Sequence, residues 1–388
     1  MNILLISDVY FPRVNGVSTS IRTFTHQLQQ LGHTVHLLAP DYGVQTDDEA
    51  WITRIPSRSI YFDPEDKLMR YRQVLAKIPM LRERHFDVVH IHTPFVAHYA
   101  GLKIAKALNL PVVETYHTFF EDYLHHYLPW IPKGLAKRVA RWVSKKQCNA
   151  LDAVISPSQP MLDVLREYGV VTHGEVIATG LQDGSFAKAD AMTFREKYDI
   201  PLSRPMLLYV GRVAHEKNID FLLRKVSLLR QQLPEVLLVV TGEGPAETHL
   251  HKQVKLLGIE ENVRFIGYLD RNTELNACYK AADVFVFASK SETQGLVLLE
   301  AMAQGTPVVA IAELGTASIL REGHGARIAP DNEEAFAQIV HELLMQPSAR
   351  TLLGESGKQY ASQHWSATAK AKQLAGFYQF CLQNNKGA

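Results

Sequence analysis

The sequence has few cysteines and no long apolar run. Its 388 residues include three cysteines, Cys148, Cys278 and Cys381, whose wide separation matches neither a disulfide framework nor a metal-ligand spacing. No apolar run approaches the roughly 20 residues that a membrane-spanning helix needs. The apolar start Met1–Ile6 lacks a basic region and a cleavage site, so we expect a buried strand there rather than a signal peptide. These observations predict a reducing, cytoplasmic location with only peripheral membrane contact.

Excess charge of either sign is also missing. The formal net charge is +1, which argues against a general nucleic-acid-binding surface, because such surfaces normally carry a clear basic excess. The 46% hydrophobic content is ample for two buried cores.

Short apolar runs alternate with helical patterns in both halves of the chain. Such alternation is typical of parallel sheets that are covered by helices on both faces. The sequence therefore predicts two Rossmann-like doubly wound α/β domains, whose ligands should bind outside the carboxyl ends of the strands. The predicted strands are 3–6, 34–39, 88–92, 112–116 and 175–178 in the first half, and 206–210, 236–241, 263–266, 284–288, 307–310 and 326–328 in the second.

A Gly-, Asp-, Ser- and Ala-rich stretch near 181–191 is predicted to link the two domains. We expect an N-terminal domain over 1–185, joined by a returning segment at 365–388, and a C-terminal domain over 192–364. A helical pattern at 365–382, with no strand after it, forms the returning segment.

The segment from Ser291 to Glu300 carries two carboxylates eight positions apart. Glu292 precedes a helix that should begin near Gln294, and Glu300 lies about one turn inside it. The free N–H groups and positive dipole end of this helix suit phosphate, while Glu292 can accept hydrogen bonds from sugar hydroxyls. The pattern is suited to a sugar diphosphate.

In this context the chain resembles the retaining, GT-B-fold glycosyltransferases of family 4. The resemblance spans nearly the whole chain and is closest to bacterial diacylglycerol glucosyltransferases, then to phosphatidylinositol mannosyltransferases. It implies two Rossmann-like domains that face a cleft, with the C-terminal helix crossing back to the N-terminal domain. The motifs that carry it are Val14–Ser18, Thr115–Thr118, Gly211–Asn218, Gly242–Pro245, Ser291–Glu300 and Ala301–Val309.

The resemblance also implies roles for individual residues. Arg212 and Lys217 would hold the donor diphosphate, Glu292 and His117 would contact the transferred sugar, and these four form the predicted catalytic set. Glu300 would accept a hydrogen bond from the nucleotide ribose. The other predicted donor-binding residues are Gly16, Gly211, Gly267, Tyr268, Gln294, Gly295, Leu296 and Val297. Gly16 is expected in a loop after the first strand, and Gly242–Gly244 in a tight turn near the nucleotide.

The reaction implied is transfer of a hexose with retention at the anomeric carbon. Arg and Lys can neutralise a leaving diphosphate without a metal, and the chain contains no Asp-x-Asp pair. We therefore expect neither metal nor cofactor. UDP-glucose is the first expectation for the donor, ahead of GDP-mannose and UDP-galactose.

A basic amphipathic helix is predicted from Lys133 to Lys146. Leu135, Val139, Trp142 and Val143 share one face of it, and the other face is basic. The aromatic stretch 119–132 precedes this helix. Two interpretations remain: the helix lies in an anionic membrane interface, or its apolar face packs on the sheet. The predicted membrane-contacting residues are Lys133, Lys137, Arg138, Arg141, Trp142 and Lys145.

A lipid acceptor such as diacylglycerol, at the inner face of the membrane, is the first expectation. The alternative within enzymes is a transferase that acts on a lipid-linked or soluble saccharide in polysaccharide or lipopolysaccharide assembly. An alternative of another class is a nucleotide-sugar-binding protein without catalysis, against which the residues expected at the reacting sugar argue. Nucleic-acid binding through the basic stretch is disfavoured by the lack of further basic surface.

Overall fold

The computed structural model describes residues 1–44, 50–60, 63–117, 119, 133–270 and 274–385. The chain divides into two compact units, of which the first comprises Met1–Gly180 with Ala367–Ala388 and the second comprises Leu181–Ser366. Each unit is built on a parallel sheet with helices, which confirms the predicted α/β class.

The sheet of the first unit has seven parallel strands in the order β3-β2-β1-β6-β7-β8-β9. Strands β4 and β5 form a separate antiparallel hairpin. The strands are β1 (Asn2–Ile6), β2 (Thr34–Pro40), β3 (Ile52–Ile55), β4 (Ser57–Ile60), β5 (Asp63–Met69), β6 (Val88–Ile91), β7 (Val112–Thr115), β8 (Ala153–Ser156) and β9 (His173–Val176). The helices are α1 (Gly16–Gln30), α2 (Tyr71–Leu75), α3 (Ile78–Glu83), α4 (Val96–Leu108), α5 (Lys133–Cys148), α6 (Gln159–Glu167) and the C-terminal α15 (Ala367–Asn385).

The sheet of the second unit has six parallel strands in the order β12-β11-β10-β13-β14-β15. They are β10 (Met206–Val210), β11 (Leu237–Thr241), β12 (Val263–Gly267), β13 (Val284–Phe287), β14 (Val308–Ala310) and β15 (Ala326–Ile328). The helices are α7 (Ala191–Lys197), α8 (Ile219–Leu229), α9 (Glu247–Leu257), α10 (Leu275–Ala281), α11 (Leu296–Ala303), α12 (Gly315–Ile319), α13 (Glu333–Met345) and α14 (Pro347–His364).

The central strands of both sheets are apolar on both faces, as a doubly covered sheet requires. In the first unit, helices α1 and α15 pack on one face of the sheet. Leu374 and Tyr378 of α15 are buried in one cluster with Ile3, Leu5 and Ile21. The prediction that the last helix returns to the first domain is thereby confirmed.

Three expectations about local structure were wrong or incomplete. The sequence pattern from about Thr19 to Leu31 predicts a helix, but α1 begins earlier, at Gly16, because the Asn15 side chain caps it by accepting a hydrogen bond from the Ser18 N–H at 2.9 Å. Gly16 is therefore the first helical residue and not part of a loop. The half-exposed β3, the hairpin and the short β8 were not predicted. Strand β9 ends at Val176, two residues before the predicted end.

Within the residues that the structure describes, no helix combines the length and apolar character needed to cross a membrane.

Candidate functional site

The loop after β10 and the loop after β13 meet through an ion pair. Lys217 Nζ lies 2.7 Å from Glu292 Oε2, and the two side chains are 19% and 21% exposed. Burial alone would lower the pKa of Lys217, but the nearby Glu292 and Glu216 carboxylates outweigh it and raise that pKa. Lys217 is therefore a cation at neutral pH, beside a carboxylate that water can still reach.

Arg212 and Glu216 extend this group of charges. Arg212 Nη1 lies 3.8 Å from Glu216 Oε1, so two cations alternate with two carboxylates in one small region. The hydroxyls of Ser289 and Ser291 each donate to the Glu216 carbonyl at 3.3 Å, which fastens the two loops to each other. The two positive charges are thus balanced by two carboxylates within the protein.

Glycines bring the ends of β10, β11 and β12 close together. A Cβ on Gly242, where φ is +115°, would lie 2.0 Å from the Gly211 carbonyl oxygen. The Gly242 N–H donates to the Gly267 carbonyl at 2.8 Å. The predicted tight turn at Gly242 is therefore a site of close backbone approach, and the adjacent Tyr268 is exposed.

The second carboxylate of the motif is buried inside the unit. Helix α11 begins at Leu296, with Gly295 as its N-cap at φ +91°. Glu300 is 6% exposed and accepts a hydrogen bond from the Tyr279 hydroxyl at 2.8 Å. Glu292 is fixed from the other side, because its carbonyl accepts from the Gly315 N–H at 2.9 Å. The helix thus begins two residues after the predicted start near Gln294, which precedes the N-cap, and Leu296 and Val297 are its first two residues. The donor-binding roles of these three residues stay predictions.

In the first unit, imidazoles lie at the carboxyl ends of the neighbouring strands β6 and β7. His92 Nδ1 is 3.2 Å from His117 Nε2, and the two rings are stacked with centroids 5.5 Å apart. His90 lies 4.0 Å from His92 between ring centroids. Burial lowers the pKa of His117 to about 4 and that of His90 to about 3. These rings are neutral hydrogen-bonding groups at physiological pH.

Asp8 follows β1 at the same edge of this sheet. Its Oδ2 accepts from the Thr93 hydroxyl at 3.0 Å and from the Ala97 N–H at 2.8 Å. Asp8 Oδ1 is buried without a hydrogen-bond partner in the described part of the chain. Burial raises the pKa of Asp8 to about 7, so this carboxyl group is poorly suited to carry a charge.

Helix α5 exposes its large apolar side chains. Leu135, Val139 and Trp142 are 54%, 46% and 61% exposed, whereas Ala136 and Ala140 are buried. The interpretation in which the apolar face packs on the sheet is therefore wrong for Leu135, Val139 and Trp142, whereas Val143, the fourth residue of that face, is partly buried. Lys137, Arg138, Arg141 and Lys145 are also exposed. The side chain of Lys133 and the aromatic stretch 120–132 lie outside the described residues.

Among the described residues, no group of three or more His, Cys, Asp or Glu side chains is arranged to hold a metal ion.

Two family models match the chain. Residues 14–183 match the model for glycosyltransferase family 4, and residues 190–360 match the model for group 1 glycosyl transferases. The chain is also 36% identical over 318 residues to an alpha-monoglucosyldiacylglycerol synthase of Streptococcus pneumoniae, covering 80% of this chain and 71% of that protein. The chain belongs to glycosyltransferase family 4.

Solved structures agree with this family 4 assignment at the level of the fold. Sucrose-phosphate synthase from Thermosynechococcus elongatus superposes with a TM-score of 0.82 at 22% identity, over 99% of this chain and 100% of that one. Anabaena HepE in complex with UDP-glucose superposes with a TM-score of 0.76 at 18% identity, over 98% and 99%. The fold of this glycosyltransferase is therefore GT-B, as predicted.

Several residues of this glycosyltransferase that support the candidate site were not predicted from sequence. Glu216, Tyr279 and His92 contact predicted site residues, and Gly315 holds the Glu292 backbone. Glu216 lies inside the motif Gly211–Asn218, and its charge beside Arg212 and Lys217 could have identified it as a site residue. No local sequence signal identifies Tyr279 or His92, because their contacts depend on which strands and helices are neighbours.

Proposed function

We propose that this glycosyltransferase is a metal-independent, retaining enzyme that moves glucose from UDP-glucose to diacylglycerol at an anionic membrane surface. The donor diphosphate binds Arg212 and Lys217 in the second unit. The acceptor lipid is drawn from the membrane on which helix α5 lies. The protein accordingly works as a peripheral protein on the cytoplasmic face of the membrane.

The Lys217–Glu292 ion pair supports the donor half of this proposal. A diphosphate carries more negative charge than one carboxylate and competes with Glu292 for Lys217. Glu292 is then released to accept hydrogen bonds from hydroxyls of the donor sugar. As the bond from the anomeric carbon to the phosphate oxygen breaks, Arg212 and Lys217 stabilise the charge that accumulates on the leaving group.

Retention follows if the acceptor hydroxyl attacks from the face that the phosphate leaves. The new carbon–oxygen bond forms as the sugar–phosphate bond breaks, and the departing phosphate oxygen takes the acceptor proton. Glu292, released from Lys217 by the diphosphate, acts here as a substrate contact rather than as a nucleophile. His117, which is neutral, contacts a sugar hydroxyl without adding charge.

The exposed apolar side chains of α5 are the main support for a lipid acceptor. Leu135, Val139 and Trp142 project from a helix with six basic residues and no acidic one. Exposed aromatic and aliphatic side chains beside lysine and arginine match the chemistry of an anionic bilayer interface. The likeness to a monoglucosyldiacylglycerol synthase supports the same acceptor.

The deciding experiment measures transfer of radiolabel from a panel of nucleotide sugars into vesicles of diacylglycerol and anionic phospholipid, with a chelator present. We expect label from UDP-glucose in the organic phase and an α-linked product. If no label enters a lipid product while the nucleotide sugar is still bound or slowly hydrolysed, the acceptor is wrong but the donor site stands. If a divalent metal is required, metal independence is wrong.

A second experiment tests the membrane surface by charge reversal. The Lys137→Glu, Arg138→Glu double variant should lose co-sedimentation with anionic vesicles, because each basic residue near the surface contributes about 1 kcal/mol. The matched control is Lys252→Glu, Lys255→Glu on α9, a helix of the second unit that also exposes a leucine, Leu256. Equal vesicle binding by the two double variants would remove α5 from the proposal.

A further inference from the structure

His92 lies directly behind His117, on the neighbouring strand end. Its Nδ1 is 3.2 Å from His117 Nε2, and its other nitrogen, Nε2, is buried without a hydrogen-bond partner in the described part of the chain. His90 is saturated by comparison, because its Nδ1 pairs with the Tyr378 hydroxyl at 2.6 Å and its Nε2 with the Thr115 hydroxyl at 2.7 Å. No hydrogen bond in the described part of the chain therefore determines whether His92 Nε2 carries a proton or a lone pair.

Both rings of the His92–His117 pair are neutral. Burial lowers the pKa of His92 well below its ordinary value, and the neighbouring His90 and His117 lower it further. Burial also lowers the pKa of His117 to about 4. A neutral imidazole has one N–H and one lone pair, so a hydrogen bond between the two rings requires one proton between them. That proton resides either on His92 Nδ1 or on His117 Nε2.

The buried Nε2 of His92 distinguishes these two arrangements. If the proton is on His117 Nε2, the second nitrogen of His92 must be an N–H that is buried with no acceptor. If the proton is on His92 Nδ1, that second nitrogen carries only a lone pair. Buried N–H groups without acceptors are rarer in folded proteins than under-satisfied acceptors. The second arrangement is thus favoured, and it leaves the proton of His117 on Nδ1.

We propose that His92 is a positioning residue that donates its Nδ1–H to His117 Nε2 and thereby fixes His117 as the Nδ1–H tautomer. His117 consequently carries its proton on Nδ1, so this nitrogen can donate a hydrogen bond to an oxygen lone pair but cannot accept a proton. The benefit to catalysis rests on the proposed function, in which His117 contacts the donor sugar. The tautomer itself does not depend on that proposal.

Two near-isosteric substitutions separate the two nitrogens of His92. In His92→Asn the amide group occupies the place of Nδ1 and still donates to His117. In His92→Gln the amide reaches the place of Nε2 and leaves His117 Nε2 without its donor. We expect kcat to fall on the order of tenfold in His92→Gln, as for other losses of substrate-contact alignment, and to stay within about threefold of wild type in His92→Asn.

The matched control is Tyr378→Phe, which removes a buried hydrogen bond from His90 in the same cluster without touching His117. It should lower Tm and leave kcat unchanged. Melting curves for all variants separate lost stability from lost positioning.

The direct measurement is ¹⁵N–¹H correlation NMR of the histidine side chains in the ligand-free protein. Because the chain has 17 histidines, the His117 signals are assigned by their loss in His117→Ala. We expect the proton of His117 on Nδ1 in wild type and in His92→Asn, and a tautomer mixture in His92→Gln. A proton on Nε2 in wild type, or equal kcat in the Asn and Gln variants, would overturn the inference. The expected tautomer without any sugar transfer would instead refute the proposed function alone.

Discussion

The two units share one folding plan but carry opposite electrostatic designs at the carboxyl ends of their strands. In the second unit, Arg212 and Lys217 are charged, partly exposed and balanced by carboxylates. In the first unit, His90, His92 and His117 are held neutral by burial. A charged, exchangeable site suits a diphosphate, whereas a neutral one suits uncharged hydroxyls. In the proposed function, this difference in local charge assigns the diphosphate to the second unit and uncharged hydroxyls to the first.

The largest expected effect comes from breaking the charged site. Lys217→Ala should lower kcat/KM on the order of a thousandfold, because the leaving diphosphate loses a cation that stabilises it. The matched control is Lys225→Ala, which removes another lysine paired to a glutamate at 2.8 Å in the same unit. That variant should lower Tm and leave kcat/KM nearly intact. Near-normal turnover in Lys217→Ala would refute the donor-site assignment.

Gly242 in the second unit is in close contact with the neighbouring backbone, whereas Gly16 in the first unit has free space around it. Gly242→Ala should destabilise the second unit by about 3 kcal/mol or more, because the new Cβ meets the Gly211 carbonyl at an unfavourable φ. Gly16→Ala in the first unit has no atom within 4 Å of its new Cβ and should leave Tm unchanged or slightly raised. Gly16 is among the predicted donor-binding residues, and if the donor phosphate contacts its backbone, the new Cβ of the same variant should raise the KM for the donor. An unchanged KM would remove Gly16 from the binding residues.

Asp8, a buried carboxyl group of the first unit, should make the stability of the protein depend on pH. Its pKa of about 7 lies above the ordinary aspartate value of 3.8, so between these pH values the folded state holds a proton that the unfolded chain has lost. The free energy of unfolding therefore falls as pH rises through this window, by at most about 4 kcal/mol. Asp8→Asn avoids this loss but places an amide donor where Asp8 Oδ1 has no partner, which costs about 1–3 kcal/mol.

The Asp8→Asn variant should consequently be more stable than wild type at pH 8 by about 1–3 kcal/mol, and no more stable at pH 4. Chemical denaturation at several pH values measures the difference. A difference that does not change with pH would show that Asp8 is ionised throughout.

The strands of both sheets were largely predictable, and the side-chain contacts were not. Continuous apolar runs such as Met206–Val210 mark buried parallel strands directly, whereas β3 has two polar residues between its isoleucines and buries only Ile55. Strand β8 was missed although its first three residues are apolar and it is as buried as β6 and β7. In α5 the periodicity identified the apolar stripe but not the packed side. Alanines allow close packing, so a face with Ala136 and Ala140 buries as well as one with leucine. Long-range partners such as Tyr279 for Glu300 depend on the arrangement of helices, which no local pattern encodes.

The smallest expected effect concerns the buried carboxylate of the second unit. Tyr279→Phe removes the hydroxyl that donates to Glu300 Oε2 at 2.8 Å and should cost about 1 kcal/mol of stability. The matched control is Tyr360→Phe, which removes a buried hydroxyl that donates to the Ile319 carbonyl at 3.0 Å and should cost about the same.

Only Tyr279→Phe changes the environment of a residue predicted to bind the donor ribose. Its KM for the nucleotide sugar should therefore rise by about twofold to fivefold, a fraction of one hydrogen bond's free energy, while that of Tyr360→Phe stays at the wild-type value. Equal KM values at equal loss of Tm would mean that Glu300 and Tyr279 form a structural pair. The role of Glu300 would then be to fix helix α11 in place behind Glu292 rather than to bind the nucleotide.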